Sequence, residues 1–402
     1  MNYNFDEIID RKNTYSLKYD CNKEYGMPED VLPLWVADMD FKAPIRVIEA
    51  LKEISEFGIY GYTRINDQYF STLERWYSKY FGRRVRKEWL IITPGVVFAI
   101  ALAIKGLTNE GDSVIIQKPV YYPFSTMIIK NNRKLVNNPL ILKDNKYVID
   151  YDDFENKIIQ NNVKLFLFCN PHNPGGRVWT KEEIIRLADI CVKHNVKIVS
   201  DEIHSDFIFP GYEHTVLSDL KPEYEALTIT CTAPTKTFNL AGLQISNIWI
   251  PNERIRKIIE NEKSKTGYHE PSITGLVACK AAYDSGEEWL SQLRSYLKGN
   301  LDFVREFIKI NLPEIELIEP EGTYLVWLDF RKLGLADEEV DTLIVSKAKL
   351  WLDSGKMFGE EGKGFQRINI ACPRTVLEDA LNRIKTAMNS SVFKKEIDKL
   401  SE

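Results

Sequence analysis

Six short apolar runs alternate with helical patterns between about residues 85 and 250, and this alternation constrains the fold most strongly. The runs are nearly continuous in apolar residues, which is typical of strands covered on both faces. Thr180 and Glu183 have the spacing of a capping box, so one connecting helix has a clear beginning. The pattern predicts an α/β fold with a large, mainly parallel sheet flanked by helices. The runs are LIIT (90–93), SVIIQ (113–117), KLFLFC (164–169), KIVSDEI (197–203), LTITC (227–231) and ISNIWI (245–250).

The last third of the chain has a different pattern, which predicts a second, smaller α/β domain. We expect a large domain over 46–285, and a small domain that combines 286–402 with the N-terminal segment 1–45. The predicted elements of this last third are a helix over 287–310, a strand over 323–330, a helix near 338–351, a strand over 366–372 and a closing helix from about Val376.

Charge and cysteine usage narrow the class of protein and its partners. A net charge of −5 over 402 residues gives no basic footprint for nucleic acid. The opening MNYNFDEIIDRK lacks the apolar core of a signal peptide, and no run of about 18 apolar residues predicts a membrane span. Six scattered cysteines without a C-x-x-C pair predict reduced thiols and a cytoplasmic location. The five histidines form no metal-ligand cluster in the sequence.

The residues that follow each strand are the candidates for function, because open α/β sheets bind ligands beyond the carboxyl ends of their strands. Gly95 follows the first strand and opens a helical run with Val96 and Val97. The backbone N–H groups there could bind a phosphate, although a plain strand-to-helix turn has the same sequence. Tyr121 and Tyr122 follow the second strand, where they could stack on a flat ring or simply pack beside a proline-rich loop.

The next two strands end in polar residues. Asn173 lies in NPHNPGG, where two Asn-Pro steps impose a fixed, non-helical loop. Asp201 lies within the apolar run KIVSDEI, where a carboxylate is costly unless a cation pairs with it. That cation could belong to a structural salt bridge or to a ligand nitrogen. His204 follows three residues later and could hydrogen-bond nearby.

Lys236 follows the fifth strand in the stretch TAPTKTFNLAG, flanked by Thr232 and Thr235. A single lysine is usually a solvated surface residue. Taken together, however, the five strand ends offer an anion site, a ring platform, a fixed amide, a carboxylate and an amine. A phosphorylated pyridine aldehyde needs this set, because the amine can bond to the aldehyde and the carboxylate can pair with the ring nitrogen.

Over essentially its whole length the sequence resembles the fold type I pyridoxal-phosphate enzymes of the class I/II aminotransferase superfamily. The resemblance is strongest to the MalY/PatB group of cystathionine β-lyases and cysteine C–S lyases. Each motif is weak by itself, but their order and spacing together are specific. The motifs are LPLWVADMDF (32–41), YGYT (60–63), TPGVV (93–97), KPVYYPF (118–124), NPHNPGGRVW (170–179), SDEIHSDF (200–207), APTKTFNLAGL (233–243) and RINIACPR (367–374).

The resemblance implies a role for individual residues around pyridoxal 5'-phosphate. Lys236 would hold the cofactor and move the Cα proton, and Asp201 would keep the pyridine nitrogen protonated. Asn173 would bond the ring hydroxyl, His204 would support Asp201, and Tyr121 would stack on the ring and assist catalysis. The residues expected around the phosphate are Gly95, Val96, Val97, Thr232 and Thr235.

The resemblance also implies a homodimer with shared sites, in which Tyr62 reaches the phosphate of the neighbouring subunit. Arg374 would bind the substrate carboxylate, and Ala37 would line the same pocket. The sequence departs from related patterns at two positions. Thr235 stands where serine is more frequent, and Gln244 stands where many aminotransferases have an arginine against the phosphate.

The function that the resemblance implies is a carbon–sulfur β-lyase, which releases pyruvate, ammonia and a thiol such as homocysteine from sulfur amino acids such as cystathionine. Gln244 favours this reading over an aminotransferase on the same cofactor. A regulatory protein that keeps the fold and acts through a protein partner is the alternative from another class. Neither nucleic acid nor a membrane is an expected partner.

Overall fold

The computed structural model describes residues 2–390, which contain fifteen strands. All six runs predicted from the sequence are confirmed as strands, with their ends within two residues of the prediction. In chain order the strands are β1 (Leu32–Pro33), β2 (Leu90–Thr93), β3 (Ser113–Ile116), β4 (Lys134–Asn137), β5 (Ile141–Lys143), β6 (Lys146–Val148), β7 (Leu165–Cys169), β8 (Lys197–Asp201), β9 (Thr228–Thr232), β10 (Ser246–Trp249), β11 (Glu316–Ile318), β12 (Leu325–Asp329), β13 (Leu350–Trp351), β14 (Asp353–Ser354) and β15 (Phe365–Asn369).

The same range contains thirteen α-helices. Thr180 and Glu183 form the predicted capping box at the beginning of the sixth helix, with both reciprocal hydrogen bonds present. The helices are α1 (Ile45–Phe57), α2 (Asp67–Phe81), α3 (Val96–Leu107), α4 (Pro123–Lys130), α5 (Tyr151–Asn161), α6 (Lys181–Lys193), α7 (Pro222–Glu225), α8 (Pro234–Thr237), α9 (Glu253–Lys265), α10 (Ile273–Ser285), α11 (Glu287–Asn311), α12 (Asp337–Thr342) and α13 (Arg374–Met388).

Seven strands form one sheet in the order β2-β10-β9-β8-β7-β3-β4. Strand β10 is antiparallel to both of its neighbours, and the remaining pairs are parallel, so the prediction of a mainly parallel sheet is confirmed. Alternate residues of the strands enter different apolar clusters: Val114 and Ile116 pack with α3, whereas Ile115 packs with α5 and α6. Because both faces are covered by helices, the strands are apolar throughout.

A second sheet of four antiparallel strands has the order β11-β12-β15-β14 and follows the long helix α11. The N-terminal segment packs beside it, since β1 pairs in parallel with β13. Asn369 at the end of β15 donates its backbone N–H to the Leu34 carbonyl at 2.9 Å, and Asp40 donates to the Ala371 carbonyl at 3.0 Å. These bonds hold residues 34–40 between the two sheets.

The helix predicted near 338–351 is shorter than expected. Helix α12 ends at Thr342, a π-helical turn covers Leu343–Lys347, and the chain then enters β13. Lys349 has a φ of +54°, which ends the helical path. The pairing of β13 with β1 involves residues more than 300 positions away, so the local pattern could not reveal this strand.

The division into a domain over 46–285 and one formed by 1–45 and 286–402 stays a prediction, and residues 1 and 391–402 lie outside the described range. Among the described helices, none combines the length and apolarity that a membrane crossing requires.

Candidate active site

Five loops converge at the carboxyl edge of the seven-stranded sheet. They follow β2, β3, β7, β8 and β9, all of which run in the same direction. The segment 34–40 and the second sheet lie against this edge. The strand-end residues singled out by the sequence therefore belong to one region of the molecule.

Lys236 lies on the short helix α8 and points toward the N-terminal segment, where its Nζ donates a hydrogen bond to the Ala37 carbonyl at 2.8 Å. Burial lowers the pKa of Lys236 to about 8, and the nearby Arg367 adds to this shift, whereas Asp38 and Asp201 oppose it. An amine with a pKa near neutrality is partly deprotonated under physiological conditions, as a nucleophile or a general base requires.

Asp201 ends β8 and is 4% exposed. One carboxylate oxygen accepts the backbone N–H of Ile203 at 3.2 Å, and no arginine or lysine within residues 2–390 forms a salt bridge with it. Burial raises the pKa of Asp201 to about 7. A buried carboxylate without a cation is a costly arrangement, and the ring nitrogen of a pyridine cofactor would supply the missing partner.

Asn173 is held by two contacts in the site. Its side-chain oxygen accepts a hydrogen bond from Arg367 Nη1 at 2.9 Å, and its carbonyl accepts the Tyr121 N–H at 3.0 Å. The peptide bonds before Pro119, Pro171 and Pro174 are cis; these prolines lie in the loops that follow β3 and β7. The backbone of Asn173 thus lies next to that of Tyr121, while the role of the Asn173 amide toward the ring hydroxyl stays a prediction.

Arg367 is a residue of the site that the sequence reasoning missed. It lies on β15, is 3% exposed, and donates through Nη2 to the Trp35 carbonyl at 2.9 Å and to Asp353. Its Nε is buried without a hydrogen-bond partner. The signal was present in the sequence, because an arginine inside the apolar run of a predicted strand is as unusual as the aspartate in β8.

Arg374 is not brought into the site. It begins α13, where its Nε donates to Asn300 Oδ1 at 2.8 Å and its guanidinium lies 4.8 Å from the Phe303 ring. Both partners belong to α11. The six residues between Arg367 and Arg374 carry the chain out of the sheet and onto that helix, and they separate the two arginines.

The N-terminus of α3 offers an open anion site. Gly95 precedes the helix, no side chain caps it, and a Cβ added at Gly95 would meet no atom within 4 Å. The N–H groups of Val96 and Val97 belong to the first turn, which has no partners within the helix. Free N–H groups at the positive end of a twelve-residue helix suit a phosphate.

The two threonines near Lys236 differ in their environment. Thr232 donates its hydroxyl to the Asn247 carbonyl at 2.7 Å and accepts hydrogen bonds from Tyr77 and Trp249. Its hydroxyl is therefore fully hydrogen-bonded within the core. The prediction that Thr232 faces a phosphate does not fit these contacts. The Thr235 hydroxyl has no partner among the described residues, and it stays available to a ligand.

His204 and the two tyrosines complete the region. Burial lowers the pKa of His204 to about 3, and the charge of Lys236 acts in the same direction, so this ring is neutral. Its Nδ1 is buried without a partner. Burial raises the pKa of Tyr121, whose ring centre lies 5.4 Å from that of Tyr122. Ala37 lies beside Lys236, because its carbonyl accepts the hydrogen bond from Lys236 Nζ.

Tyr62 lies away from these residues. Its side chain is 99% exposed, and it lines an open cavity of about 780 Å³ between the α1–α2 connection and the end of α9. Gln244 is also exposed, in a left-handed turn with a φ of +49°.

The residues that converge here fit a phosphorylated pyridine aldehyde. The unpaired Asp201 suits a ring nitrogen, the amine of Lys236 suits an aldehyde, and the first turn of α3 with the Thr235 hydroxyl suits a phosphate. Together with a mainly parallel sheet, they define the class of a fold type I pyridoxal-phosphate enzyme.

The chain belongs to the class I and II aminotransferase family, whose model matches residues 29–384. It is 40% identical to the cystathionine β-lyase PatB of Bacillus subtilis (strain 168), over 96% of this chain and 100% of that protein. The crystal structure of cystalysin from Treponema denticola contains pyridoxal 5'-phosphate and is 39% identical, with a TM-score of 0.93 and coverage of 96% and 99% of the two chains.

A pyridoxal-phosphate-bound structure from Clostridium difficile 630, described as an aminotransferase, is 48% identical. Its TM-score is 0.94, and the match covers 96% of this chain and 100% of that chain. These comparisons confirm the family, the fold and the pyridoxal 5'-phosphate cofactor that the sequence predicted.

Proposed function

We propose that this protein is a pyridoxal-phosphate-dependent carbon–sulfur β-lyase, which cleaves amino acids that carry sulfur on Cβ. Cystathionine and cysteine derivatives belong to this class. The observation that carries the proposal is the 40% identity to a cystathionine β-lyase over 96% of this chain and the full length of that protein. The geometry around Lys236 supplies the groups that this chemistry needs.

Arg367 would bind the substrate carboxylate, in place of Arg374. Its guanidinium is oriented by Asn173, by the Trp35 carbonyl and by Asp353, and its Nε has no partner. Planar guanidinium groups bind carboxylates with two parallel hydrogen bonds. An arginine held rigidly on a strand fixes the orientation of the substrate, which is a large part of catalysis by positioning.

Lys236 would remove the Cα proton. The bound cofactor supplies the electron sink that makes this proton acidic, and Asp201 keeps its ring nitrogen cationic. The Cα–H electron pair then forms a double bond to Cβ, the Cβ–S bond breaks, and the thiolate leaves with the electron pair of the broken Cβ–S bond. Lys236 Nζ holds the proton, and Tyr121 assists its transfer. Hydrolysis of the released enamine gives pyruvate and ammonia.

The lyase proposal is tested by measuring turnover in the absence of a keto-acid acceptor. The holoenzyme is incubated with cystathionine, cysteine, cystine and serine in the absence of any keto acid, and pyruvate and free thiol are measured. We expect many moles of pyruvate per mole of enzyme. With cystathionine, the amount of free thiol should equal the amount of pyruvate. A strict requirement for an acceptor would contradict the lyase. Loss of turnover on every sulfur amino acid would favour the regulatory alternative.

An aminotransferase is the second candidate, because the Clostridium difficile structure at 48% identity is described as one. The exposed Gln244 argues against it, since no arginine is available there to bind the phosphate. The two reactions differ in the fate of the amino group. Conversion of the substrate to its own keto acid, dependent on an added keto-acid acceptor and without release of thiol or ammonia, would identify the aminotransferase.

We further propose that the protein is a homodimer, in which Tyr62 reaches the phosphate in the partner's site. In a single chain Tyr62 is 99% exposed, and Phe57, Ile59 and Tyr60 are each more than 60% exposed. Exposed apolar stretches of this kind are typical of interfaces. We expect a dimer by light scattering, and a Tyr62→Ala variant that stays dimeric but binds the cofactor more weakly. A protein that is monomeric at the concentration used in the activity assay would contradict this proposal.

We also propose a cytoplasmic location. All six cysteines are free thiols, and all except Cys21 are buried. Free buried thiols suit a reducing compartment. Thiol titration of the freshly purified, unfolded protein should find six reduced cysteines, and a substantial disulfide fraction would contradict this location.

A further inference from the structure

The Ala37 carbonyl accepts hydrogen bonds from two side chains that come from different parts of the fold. Lys236 Nζ donates to it at 2.8 Å, and the Tyr324 hydroxyl donates to it at 2.9 Å. Lys236 follows the seven-stranded sheet, whereas Tyr324 directly precedes β12 of the four-stranded sheet. One backbone oxygen therefore joins the lysine of the site to the second sheet.

The orientation of this carbonyl is fixed from both sides. Asn369 Nδ2 donates to the Val36 carbonyl at 2.7 Å and to the Asp38 carbonyl at 2.6 Å, so the peptides that flank Ala37 cannot turn. The oxygen of Ala37 must consequently find its donors within the site.

Tyr324 is a well-held donor. It is fully buried, and its ring packs edge-on against Phe207 and His204, with centroid distances of 5.0 and 5.7 Å. Burial and the nearby Asp38 raise the pKa of Tyr324, so its hydroxyl keeps its proton at neutral pH.

We infer that Tyr324 is a positioning residue, which keeps the Ala37 carbonyl hydrogen-bonded while Lys236 is covalently bound to the cofactor. Tyr324 thereby sets the balance between the bound and the released lysine. The inference rests on the role of Lys236 in the proposed function.

The physical reason is the change in donors at the lysine nitrogen. Condensation of the amine with an aldehyde forms a C=N bond and releases one water, and the nitrogen then stays at that carbon. It can no longer donate to Ala37, and Tyr324 is the donor that is left. A buried carbonyl without a donor shifts an equilibrium constant by about five- to a hundredfold.

The sign of the effect follows from this difference. When an incoming amino acid displaces Lys236, the free amine can return to Ala37, and the carbonyl is satisfied with or without Tyr324. Removal of the Tyr324 hydroxyl therefore penalises only the state with bound lysine. The variant should favour displacement of the lysine by amino acids, and it should return to the resting state more slowly.

The experiment compares Tyr324→Phe with Tyr224→Phe in the holoenzyme. Tyr224 is a matched control, because it is also buried and its hydroxyl bonds to Asp189 at 2.5 Å, on α6. The probe is 2-methylalanine, which has no Cα hydrogen and no leaving group, so it can displace the lysine without further reaction. Its binding is followed by the visible absorbance of the cofactor, and the melting temperature of each variant is measured in parallel.

We expect Tyr324→Phe to bind 2-methylalanine about tenfold more tightly than the wild type, because one buried hydrogen bond is lost from the resting state. With a thioether substrate, kcat and KM should fall together. Tyr224→Phe should lower the melting temperature and leave binding unchanged. Unchanged or weaker binding by Tyr324→Phe would overturn the inference, since a merely structural tyrosine would affect stability alone.

Two further variants test the role of Tyr324 and the role of Lys236 separately. If Tyr324→Phe does not fold, 3-fluorotyrosine at position 324 strengthens the donor without changing the shape, and the probe should then bind more weakly. Unchanged or tighter binding there would overturn the inference. Lys236→Ala separates the two levels of the argument, because visible absorbance of a bound cofactor in that variant would refute the role of Lys236 itself.

Discussion

The two sides of the active site were accessible to sequence reasoning to very different degrees. One side consists of the strand ends of the seven-stranded sheet and contributes Tyr121, Asn173, Asp201 and Lys236. The other side consists of residues 34–40 and the four-stranded sheet, and it contributes Arg367. All four residues of the first side were predicted, whereas Arg367 was missed and Arg374 was named instead.

The difference lies in how each side is assembled. In a parallel sheet the strand ends meet at one edge, so chain order alone places the residues that follow them together. The second side forms only when β1 pairs with β13 and Asn369 binds the segment around Ala37. Those contacts join residues more than 300 positions apart, and no local pattern indicates them. Substitutions on the two sides should therefore differ in the size of their effects.

The largest effect is expected on the side of the strand ends. Lys236→Ala should abolish turnover and the visible absorbance of the lysine-bound cofactor, because in the proposed mechanism the amine supplies both the covalent bond and the base. Loss of a positioned base alone typically costs about 10²–10⁴ in rate. The exposed Lys257 serves as the control, and Lys257→Ala should behave as the wild type. Retention of both signals in Lys236→Ala would mean that another group holds the cofactor.

A smaller effect is expected from the second side, where the two arginines can be compared directly. Arg367→Leu should lower kcat/KM by about 10²–10³, because truncation of a buried charged partner costs about 2–5 kcal/mol. Arg374→Leu should change kcat/KM by less than about threefold and reduce stability through its contact with Asn300. Steady-state kinetics and thermal melting of both variants provide the measurement.

Arg367→Lys is the control for charge, since it keeps a cation opposite Asp353 but loses the planar pair of donors. It should fold better than Arg367→Leu and still bind substrate weakly. A larger loss of kcat/KM in Arg374→Leu than in Arg367→Leu would restore the original sequence-based assignment and contradict the geometry.

The third prediction concerns the pH dependence of the protein without cofactor. The pKa of Asp201 is raised to about 7, whereas an unfolded aspartate titrates at about 3.9. Between these values the folded state binds more protons than the unfolded state. The contribution of Asp201 to the free energy of unfolding is therefore full below pH 4 and is lost as the pH rises toward 7, by up to about 1.4 kcal/mol per pH unit.

Urea unfolding of the cofactor-free protein at pH 5 and pH 6.5 measures this slope. Asp201→Asn keeps the shape of the side chain and removes the titration, so the variant should lose this part of the pH dependence. Saturation of the wild type with pyridoxal 5'-phosphate should also reduce it, because the ring nitrogen then pairs with the carboxylate. An identical slope in the wild type and in Asp201→Asn would show that the carboxylate is not protonated on folding.

The smallest effects distinguish the two threonines. Thr235→Val should weaken cofactor binding by about tenfold, the value of one hydrogen bond to a charged group, and change stability little. Thr232→Val should lower the free energy of unfolding by about 1–3 kcal/mol, because Tyr77 and Trp249 lose their acceptor in the core. Cofactor titration and urea unfolding of both variants give the comparison, and equal effects on cofactor binding would contradict the environments described.

Much of the fold was predictable from local patterns. The strands of the large sheet and the start of α6 follow from continuous apolar runs and a capping box, which depend on neighbouring residues alone. The helix predicted near 338–351 failed because Lys349 turns the chain into a strand whose partner is the N-terminal segment. The resemblance placed Thr232 near the phosphate, whereas the structure shows its hydroxyl hydrogen-bonded to Tyr77 and to the Asn247 carbonyl.

By itself, the sequence indicated the class of fold through its apolar runs, and it indicated the family and the cofactor through motifs whose order and spacing resemble those of known enzymes. The tertiary structure alone decided which arginine lies beside Asn173, which threonine hydroxyl has no partner among the described residues, and that the Ala37 carbonyl accepts hydrogen bonds from both Lys236 and Tyr324. The reason is physical. Local patterns encode which residues are buried and where a strand ends, but the partner of a buried polar group is chosen by the packing of segments far apart in the chain.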